Sequence, residues 1–127
     1  MKQGRIVVAW TEIGILYKTK GVPFGISSQL FTLKRKLQPF VEHQQEQEIA
    51  ALEEIGAVNT DMTVNVTDEN CKQINDIMRE IRETEVEYNE EPTTIKLTDA
   101  ICEKLGVSGE TIDKLDGFVV FEMEGEA

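Results

Sequence analysis

His43 is the only histidine in the chain, so any Ser-His-Asp or Cys-His relay must use it. Glu42, Glu46 and Gln47 fall on adjacent helix positions, which makes a formal metal-ligand grouping. A second histidine four residues on is lacking, so the helical zinc signature is absent. His43 therefore reads as an exposed residue of a solvated face. Cys71 and Cys102 have no Cys or His at metal-ligand spacing. They read as two small buried thiols in a reducing compartment. Phosphate-binding loops are missing too. The densest glycine pair, in Gly21-Val22-Pro23-Phe24-Gly25, encloses a proline that suits a turn rather than an anion cradle. There is no Gly-Lys-Ser/Thr step and no Gly-x-Ser-x-Gly elbow. Carboxylates are plentiful, including Glu80, Glu83, Glu85, Glu87, Glu90 and Glu91. A catalytic pair needs unlike surroundings that push its pKa values apart. Acids crowded around a helix end and a hairpin read instead as one solvated face, with docking on a basic partner as the sharper alternative. No residue qualifies as catalytic, cofactor-binding or metal-ligating. The expectation is a binding protein without cofactor or metal, not an enzyme.

The remaining chemistry is charge. Residues 1–40 hold seven Lys or Arg against one acid, Glu12, a local charge of +6. Residues 41–127 hold six against twenty-three, a local charge of −17 that brings the total to −11. Such an acidic remainder repels nucleic acid and anionic membranes. The basic end centres on Lys34-Arg35-Lys36, with Lys2, Arg5, Lys18 and Lys20. A nucleic-acid footprint needs a basic domain with interleaved aromatics. Phe31 and Phe40 flank the triplet, but their spacing also fits a core stripe. The triplet therefore reads as a patch that meets an acidic partner or the chain's own acids, and nucleic acid is disfavoured. A small anionic ligand near Lys34 and Arg35 is the alternative. Trp10 is the only tryptophan. It packs between the first two helices or anchors an interface, where Trp is enriched. The candidate partner surfaces are thus Lys34, Arg35, Lys36 and Trp10 on one side, and Glu83, Glu85, Glu87, Glu90 and Glu91 on the other.

These residues need elements to hold them. A length of 127 residues suits a single domain, 1–127. Apolar residues make up 40% but aromatics only 6%, so the core must be built from Ile, Leu and Val. The longest apolar run, Ile6 to Trp10, is far below the ~20 residues that span a bilayer. No secretory signal follows the basic start, and a cytoplasmic location is expected. Ile6, Ala9/Trp10, Ile13 and Leu16/Tyr17 recur at helical spacing over residues 5–18, although Ile6-Val7-Val8 also permits a strand. Gly21-Val22-Pro23 breaks the chain. Ile26, Leu30, Leu33, Leu37 and Phe40 then mark a long helix, 24–55, with a kink predicted at Pro39. Its stretch Glu42 to Glu48 has no apolar face and should meet solvent or a partner. The rhythm resumes at Ile49, Leu52 and Ile55.

Residues 57–66 read as extended, with Met62, Val64 and Val66 alternating. Thr67 caps a third helix, 68–83, bearing Cys71, Ile74, Ile77/Met78 and Ile81. Glu85–Tyr88 and Thr94–Leu97 read as two strands of a hairpin turned by Asn89 to Thr93. Thr98 and Ser108 cap two short helices, and Phe118–Met123 is a final strand. The tail 124–127 should fray. The fold class is α+β: a long kinked helix packed with an N-terminal helix and a third helix, plus a small C-terminal sheet. The helical half covers about 1–56 and the α+β half about 57–127.

This succession of Gly21-Val22-Pro23, Leu30-x-x-Leu33-Lys34-x-x-Leu37-x-Pro39, Ile77-Met78-Arg79-Glu80-Ile81, Glu85-Val86-Glu87-Tyr88, Pro92-x-x-Ile95-Lys96-Leu97, Val107-Ser108 and Leu115-Asp116-Gly117-Phe118 resembles a family of small uncharacterised proteins encoded by tailed phages and prophages. The resemblance covers most of the chain, rests on packing and capping positions, and brings no catalytic residues. It implies a product acting in the host cytoplasm, in virion assembly or against host processes. The expected role is a non-enzymatic accessory protein that binds a phage or host protein, as a homo-oligomer. The long helix motivates the oligomer, because a domain of this size cannot bury all of it. The alternative is an antagonist of host defence, which masks a basic protein surface or sequesters an anionic nucleotide signal.

Overall fold

The apolar spacing of residues 5–18 decides in favour of helix. In the computed structural model, which describes residues 1–124, α1 spans Gln3–Tyr17. Ile6, Ala9, Ile13 and Leu16 are all buried along one face. A shared buried face outweighs the strand preference of Ile6-Val7-Val8.

After the Gly21-Val22-Pro23 break comes α2, Phe24–Glu54, which continues through Pro39. Its buried stripe is Ile26, Leu30, Leu33, Leu37, Val41, Gln44 and Leu52. α1 and α2 pack as an antiparallel pair around this stripe, the most extensive contact between elements. The polar stretch 42–48 does have a packing face, contrary to expectation. Gln44 is only 3% exposed, and its amide donates to Glu48 Oε1 at 2.9 Å. Gln47 Oε1 accepts from Gln3 Nε2 at 2.8 Å, and the same Gln3 amide reaches the Ile81 carbonyl at 2.7 Å. The buried Gln44 and the half-buried Gln47 continue the stripe where no apolar residue marks it. Ile49, by contrast, faces out.

Residues 57–66 form no alternating strand. Val58 and Val64 make one antiparallel bridge around a tight turn, and Met62, Val64 and Val66 are exposed. Asp61 Oδ1 holds that turn by accepting from the Thr63 amide and hydroxyl at 3.1 and 2.6 Å. The third helix, α3, is Cys71–Glu83 and starts three residues later than Thr67 suggested. Asn70, not Thr67, is the residue at its N-cap; Thr67 closes the turn before it, its Oγ1 accepting from the Asn70 amide at 3.2 Å while Asn70 Oδ1 accepts from the Thr67 amide at 2.7 Å. Cys71 is exposed and Cys102 half-buried, so neither thiol is the fully buried residue anticipated.

The C-terminal part comprises β1 (Thr93–Leu97), α4 (Asp99–Leu105), α5 (Gly109–Lys114) and β2 (Val119–Met123). Thr98 caps α4 and Ser108 caps α5 in a reciprocal capping box. β1 pairs with β2 in parallel, Thr93 opposite Val119 and Leu97 opposite Met123, with both short helices in the crossover. The predicted hairpin is therefore wrong. Segment 85–88 makes only an isolated bridge, Glu85 to Lys2. Its Tyr88 instead inserts its ring between Phe40 and Phe118, at 5.8 and 5.2 Å between centroids. Ile95, Leu97, Leu115 and Phe118 complete the core against α1 and α2. Leu52, Ala57 and Ile74 form a smaller cluster between α2 and α3. Of the tail expected to fray, residues 125–127 lie outside the described residues.

Candidate functional site

Aromatic side chains are scarce here, and most of a globular protein's aromatics belong inside. Three of them nevertheless face out together. Phe24 is 86% exposed at the first position of α2, and Tyr17 and Phe31 are exposed beside it. The rings of Tyr17 and Phe31 lie 5.8 Å apart, tilted by 35°. This pair stands as a ridge between two shallow grooves. One, of about 510 Å³, is lined by Tyr17, Phe24, Ser27, Ser28 and Phe31. The other, also about 510 Å³, is lined by Tyr17, Phe31, Lys34, Arg35, Gln38 and Pro39.

The cations of the second groove rest on aromatic faces. Lys34 Nζ sits 4.7 Å from the centre of the Trp10 ring, and Arg35 Cζ 5.8 Å from that of Phe31. Gly14 makes room for the lysine, since a β-carbon there would meet Lys34 Nζ at 3.1 Å. Trp10 itself is half-buried between α1 and α2, as anticipated, and its indole N–H donates to Gln38 Oε1 at 3.0 Å. Gln38 in turn donates to Glu42 at 3.2 Å.

The structure does not keep the basic triplet together. Consecutive helix residues point about 100° apart. Lys34 turns toward Trp10, Arg35 toward Phe31, and Lys36 toward Glu90, whose carboxylate is 3.8 Å away. Of the other basic residues in 1–40, Arg5 also meets an acid, the Asp116 carboxylate at 3.9 Å. Arg5 donates to the Asp116 carbonyl at 2.7 Å, and the Met1 amine contacts Glu85 at 2.8 Å. From residue 13 to residue 41 there are five Lys or Arg and no acid. Among the described residues, only Lys36 of these five makes an ion pair. Of these unanswered cations, Lys34 and Arg35 line the groove beside the exposed aromatics.

The acidic candidates form an exposed run but are not equivalent. Glu85 and Glu90 are engaged with Met1 and Lys36. The amine's hydrogen bond, then its positive charge, holds the Glu85 carboxyl below the usual carboxylate range. Glu83, Glu87 and Glu91 make no ion pair among the described residues. His43 is exposed on α2. Among the described residues no three His, Cys, Asp or Glu side chains gather closely enough to hold a metal ion, and no helix is long and apolar enough to cross a membrane.

No family model, curated protein or solved structure matches the chain. Tyr17 and Phe24 were not legible as site residues. A signal did exist: Phe24 and Phe31 are seven residues apart, a second stripe beside the leucine stripe that starts at Ile26.

Proposed function

We propose that this protein is a non-enzymatic, phage-encoded accessory protein that works by docking on another protein, in the host cytoplasm and as a homo-oligomer. One observation carries the docking: Phe24, Tyr17 and Phe31 are exposed together beside Lys34 and Arg35, which make no ion pair among the described residues. Solvated aromatics cost free energy and are concentrated at recognition surfaces. The phage assignment and the role in virion assembly draw on the resemblance of the Leu30 to Pro39 and Ile77 to Tyr88 motifs. The oligomer draws support from α2, whose Ile49 remains exposed far from the aromatic ridge.

The second reading is an antagonist of host defence. Glu83, Glu87 and Glu91, exposed and without an ion pair among the described residues, favour its masking form, and the Lys34–Arg35 groove its nucleotide-sequestering form. One experiment separates the readings. The wild type, Phe24→Ala/Phe31→Ala and Glu83→Lys/Glu87→Lys/Glu91→Lys are each used to capture partners from infected cells, with sedimentation velocity run alongside. A virion protein held by the wild type and lost at least tenfold on the aromatic double substitution supports assembly. A host protein lost only on the glutamate substitutions supports antagonism. Partners retained by both variants would remove both surfaces.

A further inference from the structure

The two grooves beside the Tyr17–Phe31 ridge differ in chemistry, and that difference specifies what fits them. The groove around Phe24 offers ring faces and the two hydroxyls of Ser27 and Ser28, with no charge. The groove around Lys34 offers an ammonium and a guanidinium already seated on aromatic rings. We infer that this face recognises an acidic protein segment, placing an apolar side chain against Phe24 and a carboxylate against Lys34 and Arg35. This inference rests on the docking role proposed above and names the partner's chemistry.

Charge complementarity sets the sign. Residues 13–41 carry five cations and no acid, and among the described residues only Lys36 of these is spent on an internal ion pair. Like-charged partners are excluded from such a face and acidic ones are steered to it. Geometry sets the spacing. The groove centres lie about eight residues apart along α2, or about 12 Å at 1.5 Å per residue. On a partner helix that distance separates residues roughly two turns apart, i and i+7.

Length argues for a polypeptide over a mononucleotide. Phe24 to Pro39 spans about 22 Å of helix at the same rise, longer than one nucleotide reaches. The cation arrangement argues against a nucleic-acid strand. Lys34 and Arg35 share one groove while Lys36 turns away to Glu90, so the three cannot track successive phosphates as a row.

Trp10 is the built-in reporter, because Lys34 lies over its ring. The full chain is titrated by tryptophan fluorescence and calorimetry with four probes. They are a helix-forming peptide with Leu and Glu seven residues apart, the same peptide with Glu replaced by Gln, the same peptide with Leu replaced by Ala, and oligothymidylate. The expected result is saturable binding of the first probe with a change in Trp10 emission. Each of the other three should bind at least tenfold more weakly. Phe24→Ala and Arg35→Glu, both at exposed positions, should each weaken the first probe at least tenfold while circular dichroism stays unchanged. Equal binding of the Gln peptide with retained Phe24 dependence would overturn the acidic specificity and spare the docking face. Binding of the first probe unaffected by either substitution would overturn the docking face itself. Tighter binding of oligothymidylate, or no binding by any peptide, would also overturn the inference.

Discussion

Gln44 is the residue whose surroundings least satisfy its chemistry. Its amide nitrogen donates to Glu48, but Oε1 is buried with no hydrogen-bond partner. An orphaned buried acceptor costs about 1–3 kcal/mol, more than one half-buried hydrogen bond returns. Gln44→Met keeps the length and volume of the side chain and removes the orphan. It should raise the unfolding free energy by about 1 kcal/mol, read as a higher urea midpoint at unchanged slope. Gln44 also shows why the sequence misled at this scale. A pattern of apolar residues cannot reveal a glutamine that occupies a core position, and Glu42 to Glu48 therefore looked unpartnered. The same limit applied to Phe24, since an exposed phenylalanine and a buried one are spelled alike. Trp10 was legible because its spacing with Ile6 and Ile13 placed it at the edge of the apolar face.

At the level of elements, α1 and α3 approach closely at Gly4. A methyl group there would stand 3.0 Å from Arg82 Cβ and 3.1 Å from the Arg82 carbonyl oxygen, which belongs to the backbone of α3. Gly4→Ala would gain about 1 kcal/mol of helix propensity on an isolated helix. Here the crowding should outweigh that gain and lower stability by about 1 kcal/mol, since overpacking costs about 1–3 kcal/mol. Equilibrium denaturation of the two proteins checks the sign. The helices were legible in the sequence because their information is local. Leu30, Leu33 and Leu37 repeat at helical spacing, and Thr98 and Ser108 announce the short helices. The sheet was not. Asn89 to Thr93 has turn chemistry and lies between two strand-like segments, so a hairpin was the local solution. The pairing that forms joins β1 to β2 across two helices, and nothing within either segment encodes its distant partner.

For the molecule as a whole, opposite charges close the chain on itself. The Met1 amine meets Glu85, and Arg5 and Lys36 meet Asp116 and Glu90. Because the folded pKa of Glu85 is depressed, its contribution to stability is fully present above the ordinary glutamate pKa. It is lost as pH falls through the lower folded value. Glu85→Gln should therefore lower the melting temperature slightly on the neutral plateau and leave it unchanged at the acid end, which flattens the acid limb; the titration of the Glu85 carboxyl by NMR reports the same shift directly. Solvent exposure keeps the effect small. Lys34 and Arg35, beside the exposed aromatics, make no ion pair among the described residues, a property of three-dimensional placement that the bare +6 and −17 could not assign. Gln3 contributes one more consequence. It is locked by Gln47, Ile81 and Thr84, and Met1 by Val86, which lies 85 residues downstream. On a ribosome, α1 and α2 can pair early through Ile6, Leu30 and Leu37. The first three residues must then wait, hydrated, until α3 has left the exit tunnel. These three residues are thus among the last parts of the fold to be fastened.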